Sequence, residues 1–293
     1  MNNSAPKPYI GRFAPSPSGP LHFGSLIAAL GSYLQAKSQQ GLWLLRIEDL
    51  DPPREVPGAA DEILRTLDVF GLHWDGPLVY QSQRLDAYQA VLDDWAKAGL
   101  TYYCHCTRKM IANRGGCYDG HCRQLALSPA HAATRLIMQQ PIYQFDDQLQ
   151  GKIDIAPKLA EEDFIVRRRD GFYAYNLAVV LDDAHAGISE VVRGADLLEP
   201  TGRQIALYQL LQMPTPRWLH LPLVSSAGLK LSKQNHAPAL DIRFPSKALW
   251  SGLHFLGQQP PVALQAAPVE EQLDWAQQHW CLKKVPNKIN IEL

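Results

Sequence analysis

Tyr9 to Lys37 reads Y-I-G-R-F-A-P-S-P-S-G-P-L-H-F-G-S-L-I-A-A-L-G-S-Y-L-Q-A-K, and Trp43 to Arg54 reads W-L-L-R-I-E-D-L-D-P-P-R. A short apolar run from Tyr9 to Ala14 breaks into a Pro/Ser/Gly loop. From Leu21 to Lys37 the spacing predicts a helix with Leu26, Ile27, Leu30 and Leu34 on one face, and Leu42 to Ile47 predicts a buried strand. Strand, loop, helix and strand make one βαβ unit of a parallel sheet. Such sheets bind ligands at the carboxyl ends of their strands, where free helix amides and the helix dipole favour phosphate. The loop ends in His22-Phe23-Gly24-Ser25, so a histidine and small residues fall at the helix start. Gly24 has no side chain, which lets a flat base approach the backbone.

Length and composition fit this reading. The 293 residues are 46% hydrophobic, enough for a sizeable core, with a formal charge of −1. That balance excludes nucleic-acid binding by overall basicity and leaves only local patches for it. No signal peptide, membrane-length apolar run or lipidation motif is present, which points to a cytoplasmic protein.

Further along, helices are expected over Asp61 to Phe70, Leu85 to Ala98, Tyr173 to Asp183, Glu199 to Leu211, Ser246 to Leu256 and Val269 to His279. Strands are expected over Ile188 to Arg193 and Trp218 to Val224, and the polar C-terminal tail is expected to be loosely ordered. The α/β pattern is interrupted from Thr101 to about Glu162. The chain therefore divides into a first half-domain (8–100), an insertion (101–163), a second half-domain (164–224) and a short helical C-terminal region (225–293).

The combination R-F-A-P-S-P-S-G-P-L-H-F-G, then R-I-E-D-L-D-P-P-R, resembles the catalytic domain of class I glutamyl-tRNA synthetases. G-L-H-W-D, Q-S-Q-R, Y-N-L-A-V-V-L-D-D and V-V-R-G-A-D-L-L extend the likeness. The resemblance implies an α/β fold with a Rossmann-type parallel sheet that forms an aminoacyl adenylate from ATP and magnesium. It makes His22-Phe23-Gly24-Ser25 the ATP signature and Lys230-Leu231-Ser232-Lys233 the mobile lysine loop, with Leu231 and Gln234 departing from the family's K-M-S-K-S. His22, Gly24, Ser25, Lys230, Ser232 and Lys233 would then hold ATP, and His22, Gly24 and Lys233 would act in catalysis. It also places Arg12, Ala14, Ser16, Glu48, Tyr175 and Arg193 around L-glutamate. In that assignment Glu48 meets the ammonium group and Arg193 the side-chain carboxylate. A guanidinium fork matches a carboxylate bidentately and is underused by an amide, which favours glutamate over glutamine. Asp49 and Asp51 are read as structural, pairing with Arg46 or Arg54.

Four of the five cysteines lie between Cys104 and Cys122, a density that suits a metal better than a disulfide framework. From chemistry alone, Cys117 or His121 would join Cys104, Cys106 and Cys122 in a closed, structural zinc site. The resemblance implies another fourth ligand, Tyr118, through the pattern C-x-C…Y-x-x-x-C.

Only residues 234–293 follow Lys233, too few for an ordinary anticodon-binding domain after the stem-contact region. With Lys230 to Leu240 and the compact cysteine insertion, this resembles the small family of glutamyl-queuosine tRNA(Asp) synthetases. The implied acceptor is queuosine in the anticodon arm of tRNA(Asp), met by a monomer. Ordinary tRNA charging with a separate anticodon reader, a ligase for a non-RNA acceptor, and a silent binding module are the competing readings. Arg167, Arg168 and Arg169 offer either an RNA-binding cluster or a solvated strand end.

Overall fold

The computed structural model describes residues 8–226, 229–231 and 237–293. Strands β1 (Ile10–Phe13) and β2 (Leu42–Ile47) pair in parallel, Ile10 beside Leu42 through Phe13 beside Leu45. Helix α1 (Phe23–Lys37) connects them; His22 caps it by accepting the Ser25 N–H on Nδ1 at 3.3 Å. That cap is why the helix begins at Phe23 rather than Leu21. Leu26, Ile27, Leu30 and Leu34 are buried as the periodicity requires, but so are Gly31, Ser32, Tyr33 and Gln35 on other faces. The helix is central: sheet residues cover one side and C-terminal helices the other. A Cβ at Gly31 would lie 2.4 Å from the Leu221 Cδ1, so any larger residue there requires that buried side chain to shift.

After helix α2 (Ala59–Val69), strand β3 (Val79–Tyr80) adds in parallel beside β2. Helix α3 (Leu85–Lys97) leads into the insertion. There β4 (Thr101–Cys104), helix α4 (Arg108–Ala112), β5 (Ala133–Leu136), the hairpin β6 (Gln144–Asp147) and β7 (Gly151–Asp154), and helix α5 (Pro157–Ala160) precede β8 (Phe164–Arg167). Strands β4, β5 and β8 form an antiparallel sheet, so Phe164–Arg167 joins the insertion's sheet. Helix α6 (Tyr175–His185), strand β9 (Glu190–Gly194), helix α7 (Leu198–Leu210) and strand β10 (Arg217–Leu221) restore the α/β pattern, with β9 and β10 parallel. β9 lies beside β1, where the Ser189 N–H donates to the Ile10 carbonyl at 2.9 Å.

Two expectations change here. The strand expected from Trp218 to Val224 divides at Pro222, whose missing N–H cannot continue a ladder. Its second part, β11 (Leu223–Ser226), pairs with β12 (Leu229–Lys230) and with β13 (Asn290–Glu292). The C-terminal tail is therefore ordered, because the open edge of β11 supplies backbone partners for β13. Helices α8 (Pro245–Phe255) and α9 (Val269–His279) close over α1, and the Trp280 indole N–H donates to Gln35 at 2.7 Å. No described helix is long and apolar enough to cross a membrane.

Two adjacent carboxylates on α6 tie these parts together. Asp182 accepts from Gln81 at 2.8 Å, Arg84 at 2.5 Å and the Tyr88 hydroxyl at 2.8 Å. Asp183 accepts from Arg12 at 3.2 Å and Arg46 at 2.6 Å. All of these groups except Arg84 are buried. Burial pushes Asp183 up, but Arg12 and Arg46 outweigh it and hold its carboxyl below its ordinary value. Its stabilising contribution is thus complete above about pH 4 and fades as pH falls through the lowered folded-state value. Asp182→Ala leaves three donors without their acceptor and is expected to lower the free energy of unfolding by about 3–5 kcal/mol in urea titration. A loss below about 1 kcal/mol would show that Asp182 is not the tie.

Candidate active site

The carboxyl ends of β1, β9 and β10 open onto a cleft of about 380 Å³ at the start of α1, lined by Ser16, His22, Gly24, Ser25, Asp196 and Leu231 among others. The first turn of α1 carries no acidic residue, so its positive dipole end is not cancelled locally. A Cβ at Gly24 would meet the His22 ring at 3.0 Å and the Leu231 carbonyl at 3.4 Å, so a side chain there would crowd the cleft. Leu231 is held by its N–H on Val224 at 2.8 Å, and Ala239 bridges to His22 while the Leu240 N–H donates to Leu21. Both described flanks of the lysine loop therefore sit against the His22–Ser25 turn. Lys230 enters β12 opposite Ser225; Ser232 and Lys233, named above for ATP, lie outside the described residues.

Adjacent in the chain to Phe13 and Gly194, which line this cleft, Arg12 and Arg193 belong to a set of buried charged residues. Arg12 donates Nε to Asp183 and Nη1 to the Val192 carbonyl at 3.2 Å. Arg46 bridges Asp183 and Glu48, reaching Glu48 at 3.1 Å. Burial, stronger than the attraction of Arg46, pushes the Glu48 carboxyl above its ordinary value. The Pro15 carbonyl, between Ala14 and Ser16, accepts the Glu48 backbone N–H at 3.0 Å, which ties that loop to the end of β2. Arg46 was not singled out from sequence as a functional residue, yet it occupies the centre of this set. Asp51 does pair with Arg54, at 2.6 Å. Asp49 instead accepts from the Ser82 N–H and hydroxyl, since Arg46 is taken by stronger buried partners.

Arg193 is different. It is 6% exposed, and its donors go to the His220 imidazole at 3.0 Å, the Tyr175 hydroxyl at 3.3 Å, Thr201 Oγ1 at 2.7 Å and the Leu197 carbonyl at 3.3 Å. Every one of these partners is uncharged or can be. Among the described residues, no carboxylate lies within ion-pair distance of Arg193. Burial, helped by the nearby Arg12 and only partly offset by Tyr175 and Asp183, lowers its pKa from the ordinary arginine value. The sequence reading missed His220, Thr201, Asp147 and Asp183. The run L-D-D at the end of an apolar helix was a readable sign of buried carboxylates; Asp147 in a polar hairpin gave none.

In the insertion, the thiols of Cys104, Cys106 and Cys122 lie within 4.8 Å of one another. The Tyr118 hydroxyl reaches the same spot, accepting the Cys122 N–H at 2.8 Å. Cys117 and His121 are not part of the cluster; Cys117 is half-buried and His121 exposed. Burial, its contact with Cys122 and the neighbouring thiols push the Cys106 thiol up to about 12. A divalent cation would reverse that by stabilising the thiolates, so three convergent sulfurs and a phenol oxygen are a chemically suitable donor set. Arg135 stacks 3.6 Å over the Tyr118 ring, and Arg123 clasps Asp163 at 2.7 Å beside it. The arginine run ahead of α6 is occupied locally: Arg167 donates to Gly171 and Gln89, Arg168 to Asp51 and Asp170, and Arg169 to the His105 carbonyl.

Residues 10–260 match the family of class I tRNA synthetases (E and Q), catalytic domain. A protein from Photobacterium profundum named glutamyl-Q tRNA(Asp) synthetase is 60% identical over 97% of this chain and 92% of its own length. One of the same name from Serratia proteamaculans is 59% identical over 97% and 94%. Among solved structures, the glutamate-tRNA synthetase of Elizabethkingia anophelis superposes with a TM-score of 0.78 at 24% identity, covering 96% of this chain and 67% of that one. The glutamate tRNA ligase of Elizabethkingia meningosepticum, solved with its amino acid, gives 0.78 at 24% identity, and this chain spans only 66% of its length. With the sheet, the His22–Ser25 turn and the convergent charged residues, these likenesses place the chain in the class I synthetase family, beside the proteins named glutamyl-Q tRNA(Asp) synthetase.

Proposed function

We propose that this chain is a ligase that activates L-glutamate with ATP, taken with its magnesium ion, as the adenylate with release of pyrophosphate, and passes the glutamyl group to queuosine in the anticodon arm of tRNA(Asp). The observation that carries the glutamate half is Arg193, a buried guanidinium whose protein partners leave its charge unneutralised. A side-chain carboxylate completes it; an amide does not. Glu48, pushed up by burial, gains from a cation and suits the ammonium group. Arg12, Ala14 and Ser16 line the approach between them. The names of relatives that match almost end to end support the queuosine half.

The chemistry needs little beyond positioning and charge stabilisation. An oxygen of the glutamate α-carboxylate attacks the α-phosphorus of ATP and pyrophosphate leaves. The start of α1, with His22, Gly24 and Ser25, would hold the phosphates, and Lys230, Ser232 and Lys233 are the residues that the family resemblance assigns to them. A hydroxyl of the cyclopentene diol of queuosine then attacks the acyl carbon; AMP leaves and the hydroxyl proton passes to solvent. We take the protein to act as a cytoplasmic monomer. Cys104, Cys106, Cys122 and Tyr118 would hold one zinc, which would fasten the insertion.

Glutamate-dependent exchange between ATP and pyrophosphate is expected without RNA. Arg193→Gln should raise the KM for glutamate by about thirtyfold or more, the equivalent of about 2 kcal/mol. Lys233→Ala should slow exchange, whereas Lys97→Ala, on an exposed helix face, should not. Exchange insensitive to Arg193 would remove it from the pocket.

The acceptor is tested with radiolabelled glutamate and three RNAs: tRNA(Asp) carrying queuosine, the same RNA with guanosine, and the queuosine form lacking its terminal adenosine. The first and third should be labelled and the second not. Labelling that requires the terminal adenosine would restore ordinary charging.

For the metal, one zinc per chain is expected by elemental analysis, lost with Cys104→Ser together with stability of the insertion. Tyr118→Phe should weaken binding more than Cys117→Ser; the opposite order would return Cys117 to the site.

A further inference from the structure

We infer that Asp147 and His220 are positioning residues for Arg193, holding its guanidinium in place while leaving its charge for the ligand. The inference rests on the glutamate reading above and adds how the pocket maintains it. His220 is fully buried at the end of β10, and its Nε2 faces the Nε–H of Arg193 at 3.0 Å. An arginine can only donate, so this imidazole nitrogen must be an acceptor and carry no proton. The imidazole proton therefore sits on Nδ1, which donates to Asp147 Oδ2 at 2.6 Å. Asp147 is itself fixed at the β6–β7 turn. Its Oδ1 accepts the N–H groups of Leu149 at 3.0 Å, Gln150 at 2.8 Å and His220 at 3.3 Å.

Each contact has a distinct consequence. Oδ2 of Asp147 selects one imidazole tautomer, and that tautomer presents a neutral acceptor to Arg193. Thr201 and the Leu197 carbonyl hold the Nη2 corner, so the guanidinium plane is fixed and its Nη1 points toward Tyr175. Had a carboxylate stood where the imidazole stands, it would have oriented Arg193 equally well. It would also have neutralised the arginine and removed the preference for an acidic ligand over its amide. The imidazole keeps the Asp147 carboxylate one ring away from Arg193. Burial, the largest influence, lowers the His220 pKa from its ordinary value and keeps the ring neutral beside Arg193.

The test exploits the tautomer. Asp147→Asn preserves the Oδ1 acceptor of the turn and changes only the group facing Nδ1. The new amide donates to Nδ1, moves the imidazole proton to Nε2, and sets donor against donor at Arg193. The KM for glutamate in pyrophosphate exchange should rise about tenfold or more, with the KM for ATP unchanged. His220→Leu should show a similar loss, and His220→Gln, whose amide oxygen can accept from Arg193, should recover most of it. In the His220→Gln background no tautomer exists, so Asp147→Asn should add little. Equal effects of Asp147→Asn with and without His220→Gln, or parallel rises in both KM values, would reduce the pair to a structural role. Absence of glutamate-dependent exchange in the unsubstituted protein would instead overturn the glutamate reading itself.

Discussion

Asp183 is the point on which the two halves of the catalytic layer meet. Arg12 comes to it from β1 and Arg46 from β2, while Asp183 itself belongs to α6, far along the chain. The adjacent Asp182 receives Arg84 and lies 3.8 Å from Arg46, and Arg46 continues to Glu48. Three guanidinium groups thus meet three carboxylates within one region. Buried charges are tolerated only when paired and hydrogen-bonded, so the strands and α6 must keep this relative placement. A pocket built on such a layer inherits its rigidity. Positioning is what adenylate chemistry chiefly requires of a protein.

Most of the fold was legible because its main elements carry clear periodicity. The strand Leu42–Ile47 and the helix Val269–His279 have the limits their apolar patterns suggest. Elsewhere the ends moved by local chemistry: His22 capped α1 two residues late, and Pro222 divided one strand into two. The strand at Asn290–Glu292 was not legible. Three residues in a polar tail have no signature of their own, and their pairing depends on the unfilled edge of β11. For the metal cluster, chemistry alone left Cys117 or His121 as the fourth ligand, and only the family resemblance pointed to Tyr118. The course of the loop brings Tyr118, and neither of the other two, beside the three sulfurs.

The candidate site divides the same way. Arg193, Tyr175 and Glu48 stand in motifs that a reader can recognise. Their supports do not: Asp147 reaches His220 across 73 positions in the sequence, from an insertion with no apolar pattern at that point. The insertion therefore does more than carry cysteines. Its hairpin also delivers a carboxylate to the back of the pocket. Through Gln150, whose amide donates to the His220 carbonyl at 3.0 Å, the hairpin also grips the strand that bears the histidine.

Arg12 and Arg193 show how one residue type is used in two ways within a single site. Both are buried, and both were expected at the ligand on sequence grounds. Arg12 is ion-paired with Asp183 and donates across to the Val192 carbonyl on β9, near where Ser189, just before β9, donates its N–H to the Ile10 carbonyl of β1. Its charge is compensated inside the protein, so its main effect is to hold β1 against β9 and to shape the wall of the pocket. Arg193 is held as firmly but only by neutral acceptors, so in the proposed reading its charge would be compensated by an incoming carboxylate. The difference is one of counter-charge rather than burial or residue identity. It follows that loss of Arg12 should disturb the fold and the pocket together, whereas loss of charge at Arg193 acts on ligand choice first.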